Sequence, residues 1–245
     1  MRSDRSGFSI GTIIASNQMR IEIASDMSLL VRFGESASRE CFRAVTTFFQ
    51  RLRTLNDSRI RNVHPAYATV LIDFEPLRMS HEELTAMVEE LLARGTEGDL
   101  RSRVVRIPVC YGDEFGQDLQ FVAEHAGLSM GEVIRLHCSA GYVVHFLGFS
   151  PGFGYLGGLP KHLECPRLES PRKHVPAGSV GIAGTQTGVY PVDSPGGWRV
   201  IGRTPLRMFD PDGDPPARLQ PGDTVKFAPI DRTAFDELAR TERTW

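Results

Sequence analysis

Glycine and proline are concentrated in one stretch of the chain, and this stretch restricts the fold more than any other feature. Of the 24 glycines, 12 lie between Gly148 and Gly202. Proline ends helices and glycine weakens them, so no long helix is expected to run through this segment. Short runs of β-branched and aromatic residues alternate there with turn residues, which is typical of a barrel whose glycines turn corners and let backbones approach closely. We therefore predict a β-barrel whose loops carry a functional site.

The residues before this segment predict a separate α+β domain. From Met19, MRIEIA and MSLLVRF alternate as the two strands of a hairpin, and Ser36 or Ser38 caps the helix that follows. RIRNVHPAYATVLIDF predicts two further strand runs, and SHEE, beginning at Ser80, is the capping box of a second helix that stops at Gly95. The polar segment 95–102 has the composition of a linker. The predicted division is 1–18 as a disordered extension, 19–98 as the N-terminal domain, 103–230 as the barrel domain and 231–245 as a C-terminal helix and tail.

Charge and cysteine content exclude several classes of protein. The 245 residues include 28 basic and 30 acidic side chains, so the chain has no basic field that would concentrate nucleic acid or an anionic membrane. No apolar run approaches the roughly 20 residues of a membrane span. The 4 cysteines form no CxxC pair, so neither a zinc knuckle nor a redox dithiol can be recognised. We expect a cytoplasmic protein with reduced thiols and no metal site.

Two familiar glycine motifs occur in the segment, but neither has the backbone features that its usual chemistry requires. GFSPG at 148–152 matches the nucleophile elbow, but an elbow uses the N–H group of the residue after Ser150, and that residue is Pro151. GFGYLG at 152–157 matches the dinucleotide fingerprint, which rests a pyrophosphate on the N-terminus of a helix. No helix is predicted after either motif. The chain also has no GxxxxGK[ST] phosphate loop, so ATP would need another binding mode or another subunit.

A longer series of motifs is more specific. From Phe146 to Phe209 the chain contains PGF, YLGG, PR, VPAGSVGIAG, QTG, YP, SPGGW and IGRTP in that order, preceded by VCYGDEFGQDL and GLSMGEVIRLH. With VRFGE and VHPAYATVLIDF nearer the N-terminus, the series covers essentially residues 19 to 238. In these motifs the sequence resembles the B-subunit family of bacterial 5-oxoprolinases, also called allophanate hydrolase subunit 1 or the KipI-like family.

The resemblance implies a fold, a set of partners and a reaction. The fold would be α+β, with a ferredoxin-like N-terminal α/β domain and a cyclophilin-like C-terminal β-barrel. The partners would be a homologous, PxpC-like C subunit, also called allophanate hydrolase subunit 2, and a third, PxpA-like A subunit. The complex would use ATP and water to open 5-oxo-L-proline to L-glutamate, with ADP and phosphate as the other products, and this chain would be inactive alone.

Three alternatives stay open at this point. The first is a subunit that acts on allophanate or a related urea-derived amide. The second is a regulatory protein, because the family includes an inhibitor of a sensor histidine kinase. The third is a stand-alone peptide isomerase, which is disfavoured because no peptide groove can be recognised and a shared fold does not carry function.

Opening a lactam with ATP requires cations for phosphate, donors for an oxyanion and an acid or base for water. Arg172 and Arg203 can each bind phosphate or carboxylate through two nitrogens, or can simply tie loops together. His137 ends a helix, so it is either a catalyst or a favourable partner of the helix dipole. Asp193 either activates water or caps the next turn. We predict catalytic roles for His137, Arg172 and Asp193, and substrate binding for Arg203.

Uncharged residues of the same segment complete the predicted site. The stretches 178–181 and 184–188 could present N–H groups and hydroxyls to an anion, although tight turns need the same glycines. The aromatic residues of the segment suggest an apolar wall, or else filling of the core. The predicted substrate-binding residues of these two kinds are Ser179, Gln186, Thr187, Phe153, Tyr155, Tyr190 and Trp198.

Overall fold

The protein, seen in a computed structural model, is described at residues 13–14, 19–36, 38–95 and 102–242. Its internal contacts divide the chain into two units, residues 1–100 and 101–245, and the division falls inside the predicted linker. Of the predicted extension 1–18, only 13–14 is described, and it forms a strand. The rest of that extension lies outside the described residues. No described helix is both long and apolar enough to cross a bilayer.

The first unit is an antiparallel sheet with two helices. In space the described strands follow the order β1, β2, β3, β5, β4. From β2 onward the elements run ββαββα along the chain, which is a cyclic shift of the βαββαβ order of ferredoxin-like domains. The elements are β1 (Ile13–Ile14), β2 (Arg20–Ser25), β3 (Ser28–Arg32), α1 (Arg39–Thr54), β4 (Ile60–Pro65), β5 (Thr69–Phe74) and α2 (His81–Ala93).

Capping side chains determine where these helices begin, and the alternation of residues along the strands determines which face of the sheet the helices bury. The Ser38 hydroxyl accepts the Cys41 N–H at the start of α1, which decides between the two predicted caps. At α2 the predicted capping box is present, because Ser80 and Glu83 each accept the backbone N–H of the other. The alternate strand residues that face the helices are fully buried, as at Val70.

The second unit contains the predicted barrel. Among the described strands, seven close into a barrel in the order β10, β11, β8, β7, β14, β6, β13, while β9 and β12 form a separate two-stranded ribbon. The pair β14 and β6 is parallel and the other barrel pairs are antiparallel. The elements are β6 (Val104–Tyr111), α3 (Leu119–Ala126), α4 (Met130–Ser139), β7 (Tyr142–Leu147), β8 (Gly154–Gly157), β9 (Arg172–Val175), β10 (Ser179–Ala183), β11 (Gln186–Val189), β12 (Ser194–Gly196), β13 (Arg199–Arg203), β14 (Thr224–Pro229) and α5 (Arg232–Thr241).

The glycine-rich segment behaves as its sequence predicts. After Ser150 the chain turns directly into β8. Neither GFSPG nor GFGYLG is therefore followed by the helix that a nucleophile elbow or a dinucleotide site would need. Some of the glycines make room for aromatic rings. A Cβ atom added to Gly188 would lie 3.1 Å from the rings of both Phe153 and Trp198, and one added to Gly196 would meet the hydroxyl of Tyr190.

Candidate functional site

An open cleft of about 940 Å³ on the barrel unit contains two of the predicted site residues, Asp193 and Arg203. Its walls are the turn at 177–178, the loop at 191–193, the segment 203–211 and one side of α5. Loops positioned by a rigid barrel are the usual place for binding residues. The cleft is therefore the first candidate for the site.

Asp193 and Arg203 are held by the same residue of the turn. Oδ1 of Asp193 accepts the N–H of Ala177 at 2.7 Å, and Nε of Arg203 donates to the carbonyl of Ala177 at 2.8 Å. The turn itself is fixed at Gly178, whose N–H donates to Tyr190 O and whose carbonyl accepts from Thr204 N. The acid and the cation are thus positioned together, although they lie 10 residues apart in sequence.

Some charged residues that line the cleft have ion-pair partners, whereas others keep atoms without a hydrogen-bond partner among the described residues. The two terminal nitrogens of Arg203 donate no hydrogen bond to any described residue, and Oδ2 of Asp193 has only His174 nearby, at 3.9 Å. The remaining charged residues of the cleft each belong to an ion pair: Arg207 with Asp210, Asp236 with Arg232 and Glu242 with Arg218. The cleft therefore keeps one guanidinium edge and one carboxylate oxygen for a ligand.

Arg172 lies away from this pair. In the ribbon of β9 and β12, Arg172 faces Gly196 at one end, whereas Val175 faces Ser194 at the end next to Asp193. Nη2 of Arg172 donates to Oδ1 of the buried Asp118 at 2.8 Å. The other terminal nitrogen, Nη1, is buried and has no hydrogen-bond partner among the described residues.

Asp118 is the residue that the sequence did not single out. It accepts the N–H of Val200 at 2.7 Å through Oδ2, and Arg199 is its second cation, at 3.8 Å. It thus ties β13 to the ribbon that carries Arg172. The motif VCYGDEFGQDL contains Asp118, but nothing local distinguishes this acid from its exposed neighbours Asp113 and Glu114.

The four predicted aromatic residues do come together. Phe153 is central, with the ring centroids of Tyr155, Tyr190 and Trp198 at 5.1, 5.3 and 5.3 Å in edge-to-face contact. All but Tyr155 are buried, so they fill a satellite core more than they line an open pocket. Phe149 lies over this cluster, is 63% exposed, and has the left-handed φ of +69° that is rare for a non-glycine residue.

His137 and Thr187 lie inside the barrel and are fully buried. Thr187 Oγ1 donates to the Gly181 carbonyl at 2.9 Å and therefore accepts from Nε2 of His137 at 3.1 Å. Nδ1 of His137 then accepts the hydroxyl of Tyr111 at 2.8 Å. This chain of bonds needs a neutral ring, in agreement with burial, which lowers the pKa of His137 to about 3.

This burial predicts acid sensitivity of the barrel unit. Burial lowers the pKa of His145 as well, to about 4, while both histidines titrate near 6.5 when unfolded. As the pH is lowered, the unfolded state therefore binds protons before the folded state does. Between about pH 6 and 4.5 the free energy of unfolding should fall by about 1.4 kcal/mol for each histidine per unit decrease in pH. Above about pH 7 these groups should have no effect.

Urea titrations between pH 4.5 and 8 measure this dependence. His137→Gln keeps a donor and an acceptor but removes the titrating group. The free energy of unfolding of this variant should therefore fall less steeply below pH 6 than that of the wild type, by the contribution of one histidine, about 1.4 kcal/mol per pH unit. An equal slope in the two proteins would contradict the buried, neutral histidine.

The two other predicted residues begin neighbouring strands: Ser179 is the first residue of β10 and Gln186 is the first residue of β11. Ser179 is buried and is paired in register with Arg203, beside the cleft. Gln186 is half-buried and is paired with Ala183 at the opposite end of β10. The N–H groups of Gly178 and Ser179 donate to backbone carbonyls, so the barrel uses the donors that an anion nest would need.

The described residues do not fit a metal or a triphosphate in this cleft. No group of three or more His, Cys, Asp or Glu side chains suited to a metal ion occurs in the described ranges. ATP carries several negative charges, whereas the cleft has one arginine without an acidic partner among the described residues, Arg203, and is lined by three carboxylates, those of Asp193, Asp236 and Glu242.

Comparison with known proteins defines the class first. The profile of the family described as carboxyltransferase domain, subdomain C and D, matches residues 19–219. The B subunit of 5-oxoprolinase from Bacillus subtilis is 42% identical over 222 residues, which cover 86% of this chain and 92% of that protein. This chain therefore belongs to the 5-oxoprolinase B-subunit family, within the carboxyltransferase-domain class, as its motifs predict.

Some relatives carry the same region inside longer chains, and others have about the length of this chain. The urea amidolyase of Saccharomyces cerevisiae is 24% identical over 88% of this chain, but the match covers only 13% of that protein. Among solved structures, the conserved uncharacterized protein PH0987 from Pyrococcus horikoshii is 45% identical with a TM-score of 0.54, over 88% of this chain and 99% of that one. TTHA0988 is 37% identical with a TM-score of 0.74, over 83% of this chain and 40% of that one.

Proposed function

We propose that this chain is the B subunit of an ATP-dependent 5-oxoprolinase, which converts 5-oxo-L-proline, ATP and water to L-glutamate, ADP and phosphate. The observation that carries the proposal is the 42% identity to a 5-oxoprolinase B subunit over 92% of that relative. The cleft supports it, because Asp193 and Arg203 offer a carboxylate oxygen and a guanidinium edge to a small polar ligand.

The proposal includes partners that complete the site. A homologous C subunit would complete the cleft, and ATP would be bound by that subunit or by the A subunit, because the charges of this cleft do not suit a triphosphate. The coverage of 40% of TTHA0988 supports a need for further polypeptide, since the same region is there fused to more chain. In this proposal the protein is cytoplasmic, its N-terminal unit is ferredoxin-like and its barrel is cyclophilin-like.

The proposal also assigns the remaining predicted residues. Arg172 would position β9 through its hydrogen bond to the buried Asp118. The buried aromatic cluster would support the cleft from behind through Tyr190, whose carbonyl accepts from Gly178. His137 and Thr187 would hold the barrel in register from within, since neither reaches its surface.

Reconstitution tests the proposal directly. The purified chain alone should release no glutamate from 5-oxoproline, and glutamate release should require the A and C subunits together with ATP. Coupled detection of glutamate and ADP should give one of each per turnover. A correctly assembled complex without this activity would refute the proposal.

The relation to urea amidolyase favours one second candidate, a subunit acting on allophanate or another urea-derived amide. The same assembled complex should then release ammonia from allophanate and leave 5-oxoproline unchanged. A regulatory role predicts instead that the chain alone, at stoichiometric concentration, suppresses autophosphorylation of a sensor histidine kinase. These three outcomes differ in substrate, product and required partners, so one set of assays separates them.

A further inference from the structure

We infer that the cleft binds its ligand at two points: Arg203 binds the carboxylate of a cyclic amino-acid lactam, and Asp193 accepts the ring N–H next to that carboxylate. The inference rests on the proposed function and adds the orientation of the substrate. It also assigns Asp193 to holding the ligand, a role that differs from the activation of water predicted from the sequence.

The free edge of Arg203 identifies the anionic end. Its Nε is used by the Ala177 carbonyl, which fixes the plane of the guanidinium, and its terminal nitrogens donate to no described residue. A planar guanidinium with two free donors binds a carboxylate through two parallel hydrogen bonds. Arg207, the other arginine that lines the cleft, is already paired with Asp210 at 3.0 Å.

The free oxygen of Asp193 identifies the donor end. Oδ1 is occupied by the N–H of Ala177, so the carboxylate is fixed in place while Oδ2 remains available to a ligand. An ionised carboxylate only accepts hydrogen bonds, and it therefore selects an N–H or O–H group. A ligand that places a carboxylate beside an N–H group matches both residues, because both are anchored on the N–H and C=O of one residue, Ala177.

This assignment leaves the reactive carbonyl free. In 5-oxoproline the ring nitrogen lies between the carbon that bears the carboxylate and the lactam carbonyl. A ring held at the carboxylate and at the N–H has its carbonyl on the far side of the nitrogen from Arg203. That carbonyl is then left to groups that the other subunits supply, in agreement with a cleft whose own charges do not suit a triphosphate.

A cycle of ligand and protein changes tests the inference without catalysis. The full-length chain is titrated with 5-oxoproline and with 2-pyrrolidinone, which has the same lactam and no carboxylate, and binding is followed by NMR chemical shifts. The wild type should bind 5-oxoproline roughly 10- to 100-fold more tightly, the size expected for a charged hydrogen-bonded pair. In Arg203→Gln the affinities for 5-oxoproline and 2-pyrrolidinone should differ by only a few-fold.

Two further variants separate the roles. Arg207→Gln is the matched control, since it removes an arginine of the same cleft that is already paired, and it should keep the wild-type preference. Asp193→Asn retains an oxygen for the Ala177 N–H but loses the charge, so it should weaken both ligands by a similar factor and leave the preference intact.

The inference is overturned if Arg203→Gln keeps the wild-type preference, if Arg207→Gln loses it as well, or if neither the chain nor its assembled complex binds 5-oxoproline. Its failure is distinguishable from failure of the proposed function. An active complex with an unchanged preference in Arg203→Gln refutes only the two-point binding, whereas selective binding by an inactive complex refutes only the enzymatic role.

Discussion

Replacing Asp118 with alanine should lower the free energy of unfolding of the barrel unit by roughly 3–5 kcal/mol, the usual cost of removing one partner from a buried ion pair. Asp118 is 6% exposed and is the acceptor for Arg172 and for the N–H of Val200. Without it, a guanidinium whose side chain is only 24% exposed loses its counter-charge, and a backbone donor of β13 loses its acceptor. Arg199 loses a nearby carboxylate as well.

Urea unfolding followed by tryptophan fluorescence measures this loss, because Trp198 is buried in the barrel unit and the other tryptophan, Trp245, also follows residue 101 in the sequence. Asp118→Asn should fall between the wild type and the alanine variant, since an amide oxygen can still accept from Val200 but carries no charge. Asp236→Ala is the matched control, because Asp236 also pairs with an arginine but its side chain is 45% exposed, and the midpoint of this variant should equal that of the wild type. Equal midpoints for Asp118→Ala and Asp236→Ala would contradict the role given to Asp118.

Gly178→Ala should reduce both the stability of the barrel unit and the activity of an assembled complex. Gly178 has φ +82°, which costs an alanine about 1–2 kcal/mol. An added Cβ would also meet the carbonyl oxygen of Thr204, which is backbone and cannot rotate away. The turn must therefore move, and Ala177 moves with it, so Asp193 and Arg203 lose their common anchor. A displacement of this kind near 1 Å can lower turnover about 100-fold.

A second glycine of the same segment provides the control. Gly184 also has a positive φ, +55°, but an added Cβ would meet no atom within 4 Å. Gly184→Ala should therefore cost only the conformational part, about 1–2 kcal/mol, and should leave turnover unchanged. Denaturant midpoints and turnover of the reconstituted complex are measured for both variants. Equal midpoints and equal turnover in the two variants would show that the close contact between Gly178 and the Thr204 carbonyl does not affect function.

Local features of the fold could be predicted because they depend on residues close together in the chain. Ser80 caps its helix through the N–H group three residues later, and the same spacing recurs at Ser129, where a second capping box is present. Gly127 ends α3 in the left-handed conformation that glycine adopts at helix C-termini. The failure of GFSPG as an elbow could also be predicted, because Pro151 lacks an N–H group in any fold.

The candidate site could be predicted only as a set of residues on one segment. Asp193 and Arg203 share a cleft because each bonds to Ala177, at separations of 16 and 26 residues. His137 has the residue type and position of a catalyst in the sequence, yet it lies within the barrel and is neutral there. Arg172 has the residue type of a phosphate ligand, but its first partner is an acid 54 residues away.

The sequence by itself determined the segment that forms the barrel, the capping box at Ser80 and the family, since each depends on short spacings or on motifs in a fixed order. Tertiary structure alone decided which charges are free. The barrel buries His137, Asp118 lies against Arg172 of the ribbon formed by β9 and β12, and the turn at Gly178 holds Asp193 and Arg203 around one residue, Ala177. The reason is physical: a side chain becomes available to a ligand only when the fold leaves it exposed and uncompensated, and that depends on partners distant in sequence.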